Sequence, residues 1–336
     1  MSHRTQINSK KIDFWILFLW NFVAFYLSYS FSSNYLISAL FFFVLPMCYL
    51  LYKNTRLARN PLLFAFIFSV PALFITDYLS HIDGSFLNYS ILGIRLFDLY
   101  PIEDFLWAII YFLYIGTFYE YFFDDDRSRR KKLPRRFYLF AAVGITASAL
   151  FVAAIFVFKV IHIPYFYISA VFVLFLLLPT LVLVQHREIF DGIMRAGLFF
   201  AVLSILYEYA SLHNGEWAFP GDNFIGWVTL FDVAFPFEEL LWLIFAAPAY
   251  LVYYEFFADN LRWKSDAARS FRLLLYNSSD RDSSQKITPA TPHIGSVSQL
   301  VYPLMLNLEY VQSRRFNVLW YAKPTPYSSI KPRTEL

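Results

Sequence analysis

Charge is scarce in this chain of 336 residues: Asp, Glu, Lys and Arg make up 16%, where soluble domains carry about 25%. There is one cysteine, Cys48, so an intramolecular disulfide and a Cys-based metal cage are both excluded. Glycine is sparse too, with ten residues against 40 Phe and 25 Tyr, which rules out a collagen-like or disordered chain. No basic stripe is present. The Lys and Arg residues fall in short loops between apolar runs, and the net charge of +3 gives nucleic-acid binding no support. What is abundant is apolar: 58% hydrophobic and 22% aromatic residues, with a mean hydropathy of +0.47. This is the composition of an integral membrane protein.

A spanning helix needs about 20 mostly apolar residues. Eight stretches qualify: 14–31, 35–52, 61–79, 101–123, 137–160, 163–185, 194–212 and 235–257. Pro46 and Pro71 interrupt two of them, which membrane helices tolerate when neighbours satisfy the freed carbonyls. The first stretch is longer than a signal-peptide core and no small-x-small cleavage site follows it, so it reads as a helix. Lys and Arg concentrate on the cytoplasmic side of membrane proteins. Here they cluster in every second connection: Arg4, Lys10 and Lys11; Lys53, Arg56 and Arg59; Arg127, Arg129, Arg130, Lys131, Lys132, Arg135 and Arg136; Arg187 and Arg195; Arg262 and Lys264. The alternate connections hold little beyond Arg95, with Lys159 at a helix end. Eight spans with both termini cytoplasmic, in a cell membrane, account for every cluster. The tail 258–336 is polar, with a flexible Ser-, Thr-, Asp- and Pro-rich stretch at 277–298.

The chain also resembles itself. Pro101-Ile102-Glu103-Asp104-Phe105-Leu106-Trp107 recurs 135 residues later as Pro236-Phe237-Glu238-Glu239-Leu240-Leu241-Trp242, and Tyr119-Glu120 recurs as Tyr254-Glu255. Upstream, Asp77 matches Glu208, Gly84 matches Gly215 and Phe86 matches Trp217, with Leu45-Pro46 matching Leu178-Pro179. The expected fold is therefore all-α, with eight transmembrane helices as two parallel four-helix repeats. The first repeat covers 1–123 and the second 137–257, joined by the basic loop 124–136. Parallel repeats start both Pro-x-Glu-acid helices on the same side of the membrane, where they can face one cavity.

Carboxyls in or near hydrocarbon are costly and mark candidate sites. A proline and an acid in the first turn also make an ordinary helix start; it is the duplicated spacing that argues for chemistry. Glu103, Asp104, Glu238 and Glu239 are the candidate proton donors and acceptors. Trp107 and Trp242, three and four residues on, can cover them and attract a cation to their ring faces. Asp77 and Glu208 can join the same pocket. By contrast, Glu120 and Glu255 lie 17 residues past the motif Glu, about 25 Å along a helix, and are expected at the inner face, solvated or paired with arginine. His81 and His213 read as loop residues. The run Asp124-Asp125-Asp126 lacks the spaced aspartates of a diphosphate site and is neutralised by the arginines that follow, so no metal site is expected.

Two Pro-x-Glu-[Glu/Asp] motifs, each starting a helix of a duplicated unit, resemble the membrane-bound lycopene cyclase domain family, in its fused form and over about 35–257. The resemblance implies a cofactor-free cyclase of a lipophilic, lycopene-like carotenoid held in the bilayer, with Glu103, Asp104, Glu238 and Glu239 in the family's acidic positions. No Gly-x-Gly-x-x-Gly dinucleotide fingerprint occurs in the chain. A carotenoid hydratase, a cyclase of longer prenylated carotenoids and a proton-coupled transporter are alternatives on the same acids. Which carboxyl donates and which accepts is open at this level.

Overall fold

A computed structural model describes residues 3–54, 59–96, 100–124, 133–158 and 161–258. The tail from 259, Arg56, Lys159, Asp125, Asp126 and the basic residues 127–132 lie outside the described residues. Among the described residues, eight helices are long and apolar enough to cross a membrane: Ser9–Ser30, Tyr35–Lys53, Arg59–Asp83, Ile102–Phe122, Arg135–Phe158, Phe166–Gln185, Arg187–His213 and Phe237–Phe257. The chain is a multi-pass membrane protein. Several helices outrun their apolar stretches. The third continues to Asp83, so His81 sits in its last turn, not in a loop, with Nδ1 2.9 Å from the Asp77 carbonyl. The seventh starts early because a charged turn, in which Arg195 pairs with Asp191 at 2.9 Å, precedes the apolar stretch.

The fourth and eighth spans are the only two of the eight more than half buried inside the protein. The third packs along the fourth and the seventh along the eighth. In the second and sixth spans, π-helical turns at Leu40–Val44 and Val171–Leu177 directly precede Leu45-Pro46 and Leu178-Pro179. The cause is local: proline lacks an N–H and its ring crowds the carbonyl four residues back, at Phe42 and Phe175, and a wider turn absorbs both defects.

The third and seventh spans end at Gly84 and Gly215, each at φ +69°, the left-handed residue that closes a helix and that glycine adopts without a Cβ penalty. Short strands follow each of them. Strand β1 (Leu87–Asn88) pairs with β4 (Trp217–Ala218), while β2 (Arg95–Leu96) pairs with β3 (Tyr100–Pro101) and β5 (Trp227–Leu230) with β6 (Val233–Pro236). All three pairs are antiparallel. Pro101 and Pro236 end the two hairpins in the same extended conformation, φ −65° ψ 146° and φ −61° ψ 149°, and the fourth and eighth spans begin at the next residue.

At the opposite end, Tyr119 of the fourth span donates to Glu255 of the eighth at 2.6 Å, and Tyr254 of the eighth donates to Glu120 of the fourth. Glu120 and Glu255 are therefore buried and hydrogen-bonded across the centre of the bundle, not solvated. Nearby, the buried Asp13 of the first span accepts from Tyr49 and Tyr121 at 2.5 Å each and faces Lys53 at 3.1 Å, tying the first, second and fourth spans.

Close helix contact depends on Gly197, where an added Cβ would lie 2.5 Å from Pro248 Cγ. Proline cannot swing aside. Gly197→Ala is expected to cost about 1–3 kcal/mol of stability through overpacking, read as a lower thermal midpoint in detergent. Gly192→Ala, whose Cβ would meet nothing nearer than 3.5 Å, is expected to hold or slightly raise it.

Candidate functional site

The two acids of each motif are adjacent, and adjacent helical side chains diverge by about 100°. Each pair is split accordingly. Glu103 turns toward its own hairpin, where Oε1 accepts the Ile91 and Leu92 N–H groups at 2.7 and 2.6 Å and the Ser90 hydroxyl at 3.1 Å. Glu238 does the same through Oε1 and the Ile225 N–H at 2.6 Å. Neither lines the central cavity. Asp104 and Glu239 do, and there they join Asp77 and Glu208.

That cavity has a volume of about 590 Å³, within the range of small-molecule sites. Four carboxyls, two from the third and fourth spans and two from the seventh and eighth, face a wall that is otherwise mostly aromatic and aliphatic. Trp107 and Trp242 stack with ring centroids 5.8 Å apart, and Tyr111 stacks on both, at 5.2 and 5.9 Å. Phe43 meets the Trp107 ring edge-on at 6.1 Å and Phe175 meets Trp242 at 6.2 Å. The motif acid and the Trp three residues on thus share one helix face and one cavity, as (i, i+3) neighbours should.

Hydrogen-bond donors to these acids come from the loops and from the starts of the second and sixth spans. Asn88 donates its amide to Asp104, which the Tyr35 hydroxyl also reaches. Tyr167 donates to Glu239, and the Trp217 indole donates to Glu208 at 3.1 Å. Asn88 and Trp217 are directly opposite each other in the β1–β4 pair, so one short ladder supplies donors to an acid of each half. Asp77 Oδ2 and Asp104 Oδ2 are buried with no aligned partner. Such a set of groups can hold a proton on one carboxyl while a neighbour stays ready to accept one, beside ring faces that attract a positive charge.

All eight residues singled out from the sequence are thereby located. Asp77, Asp104, Trp107, Glu208, Glu239 and Trp242 converge on the cavity; Glu103 and Glu238 brace the hairpins beside it. Tyr35, Tyr167 and Asn88 escaped the sequence reading. The two tyrosines had a detectable signal, since each shortly precedes a Ser-Ala pair (Ser38-Ala39, Ser169-Ala170) that recurs at the spacing of Asp77 and Glu208. Asn88 had none. Searched against family models, curated proteins and solved structures, the chain matches none of them.

A hydrogen bond to a charged acceptor is worth about 1.5–3 kcal/mol. Glu103→Ala is therefore expected to speed amide hydrogen exchange at Ile91 and Leu92 by about 10–100-fold, whereas Asp104→Asn should leave those two amides near their parent rates.

Proposed function

We propose that this protein is a carotenoid end-group cyclase of the membrane-bound lycopene cyclase domain type, turning linear carotene ends into β-ionone rings. One observation carries the reading: acids from both halves of the chain meet in a single apolar cavity walled by stacked tryptophans. Cyclisation needs an acid, a base, a cation-tolerant wall and the exclusion of water, and nothing redox.

In the proposed reaction a carboxylic acid gives its proton to the terminal trisubstituted alkene. The O–H bond breaks, a C–H bond forms and a tertiary cation results. The neighbouring double bond attacks that cation and closes a six-membered ring, moving the charge into the ring. A carboxylate then removes a ring proton, and the C–H electrons become the new ring alkene. Atoms and electrons balance, and the product is an isomer of the substrate. Asp104 and Glu239, assisted by Asp77 and Glu208, are the proton-transfer groups in this reading. Trp107 and Trp242 stabilise the cation, while Glu103 and Glu238 hold the hairpins that keep water out.

The same reading takes the chain as two parallel four-helix repeats related by a pseudo-twofold axis along the membrane normal. The matched π-turns, the proline-capped helix starts and the reciprocal Tyr119–Glu255 and Tyr254–Glu120 bonds support it. So does the β1–β4 ladder, in which Leu87 is paired with Ala218, its own counterpart at the Asp77–Glu208 spacing. Lys10, Lys53, Arg136 and Arg195 lie at the end opposite the hairpins, which supports a cell-membrane orientation with that end, and both termini, cytoplasmic.

Expression in lycopene-accumulating cells, followed by pigment chromatography, tests the function. β-Ring products are expected, and Asp104→Asn and Glu239→Gln should each lower ring formation by about 10²–10⁴-fold without loss of membrane-inserted protein. Hydroxylated ends would instead mean that water traps the cation. Unchanged pigment would remove the cyclase reading and favour a proton-coupled transporter on the same acids.

A further inference from the structure

Several buried carboxyls take no part in this chemistry, and Glu216 is the one whose partners lead both outward and toward the cavity. Glu216 follows the seventh span, is almost wholly buried and does not line the cavity. Its Oε1 accepts the Ser38 hydroxyl at 2.5 Å. Ser38, Ser28 and Ser33 in turn form a closed ring of buried hydroxyls, with oxygens 2.6–2.8 Å apart. Ser33 is buried but lies between exposed Ser32 and Asn34, so the ring is one residue from the protein surface. On the other side of Glu216 is Ser211, whose hydroxyl neighbours both this carboxyl and the Tyr207 hydroxyl one helical turn earlier. Tyr207 lines the cavity beside Glu208.

A hydroxyl donates and accepts at once, so a row of hydroxyls can hand a proton along by rotation. The Ser211 and Tyr207 hydroxyls have no aligned partner in this conformation. Burial pushes the Glu216 carboxyl up to about 7, against the opposing pull of the Ser38, Ser211 and Asn214 side chains. Both its protonated and ionised forms are then populated near neutral pH. Glu208 and Tyr207, both of which sense the charge of Glu216, are the titratable groups that face it.

We infer that Ser33, Ser38, Glu216, Ser211 and Tyr207 form a proton-exchange path joining the hairpin-end surface to the acid pairs in the cavity. The reaction it serves rests on the cyclase reading; the path itself does not. Each turnover takes a proton from the acid and returns a ring proton to the base. With the path open, that ring proton leaves to water and the acid reloads from water. With the path blocked, the ring proton is recycled inside the cavity.

The test uses full-length protein in lycopene-loaded membrane vesicles suspended in D₂O, with mass spectrometry of the ring product. The parent protein is expected to place one solvent deuterium in each ring formed. Glu216→Gln and Ser38→Ala are expected to go on forming rings with a marked loss of deuterium, and Glu216→Asp to restore it. A second readout needs no turnover: after transfer to D₂O, the infrared carboxyl bands of the cavity acids should shift more slowly in both variants. Parent-like deuterium content, or parent-like infrared exchange, in both variants would overturn the path. Absence of rings from the parent protein, with slowed infrared exchange in the variants, would overturn the cyclase reading and uphold the path.

Discussion

A carboxyl facing hydrocarbon is expensive, and the fourth and eighth spans bury six of them: Glu103, Asp104, Glu120, Glu238, Glu239 and Glu255. These two helices can therefore exist only inside a ring of other helices, and the remaining six spans provide it. The more apolar fifth and sixth spans have little of their length buried, whereas the two acid-bearing helices form the core. At one end the carboxyls accept hydrogen bonds from tyrosines crossing between the two central helices. At the other they are divided between the hairpins and the cavity.

That division follows from the helix itself. A proline fixes where the helix begins, and consecutive residues then leave the axis about 100° apart. The first acid lands beneath the backbone N–H groups of its own hairpin and the second lands in the cavity. Neighbouring residues of one motif thus serve the hairpin and the cavity separately. The antiparallel β1–β4 pair completes the arrangement, because Asn88 and Trp217, opposite each other, reach down to Asp104 and Glu208.

The spans were legible because bilayer thickness and the cost of charge act on composition directly, and no packing detail enters. That Asp77 and Glu208 share one cavity was expected from their spacing and their place near helix ends. The different tasks of Glu103 and Asp104 were not: they depend on where residues 88–96 fold back, and that is set by a ladder between strands 130 residues apart. For the same reason Glu120 and Glu255 look like helix-end acids in the sequence, when each is in fact held by a tyrosine of the other central helix. Glu216 is invisible to pattern reading, since its counterpart in the first half is Ser85 and its partners come from the second span and from the end of the seventh.

The two halves meet at this ladder, which brings their acids to one cavity. Directly opposed residues of an antiparallel pair have Cα atoms about 4.5–5.5 Å apart, inside the range a disulfide bridges. In full-length protein with Cys48→Ser, Leu87→Cys and Ala218→Cys, and a protease site inserted in the 124–136 loop, mild oxidation in the membrane should link the halves. After cleavage they should then run as one band without reductant and as two bands with it. Two bands under both conditions would mean that the halves do not meet at Leu87 and Ala218, and the shared cavity would be contradicted.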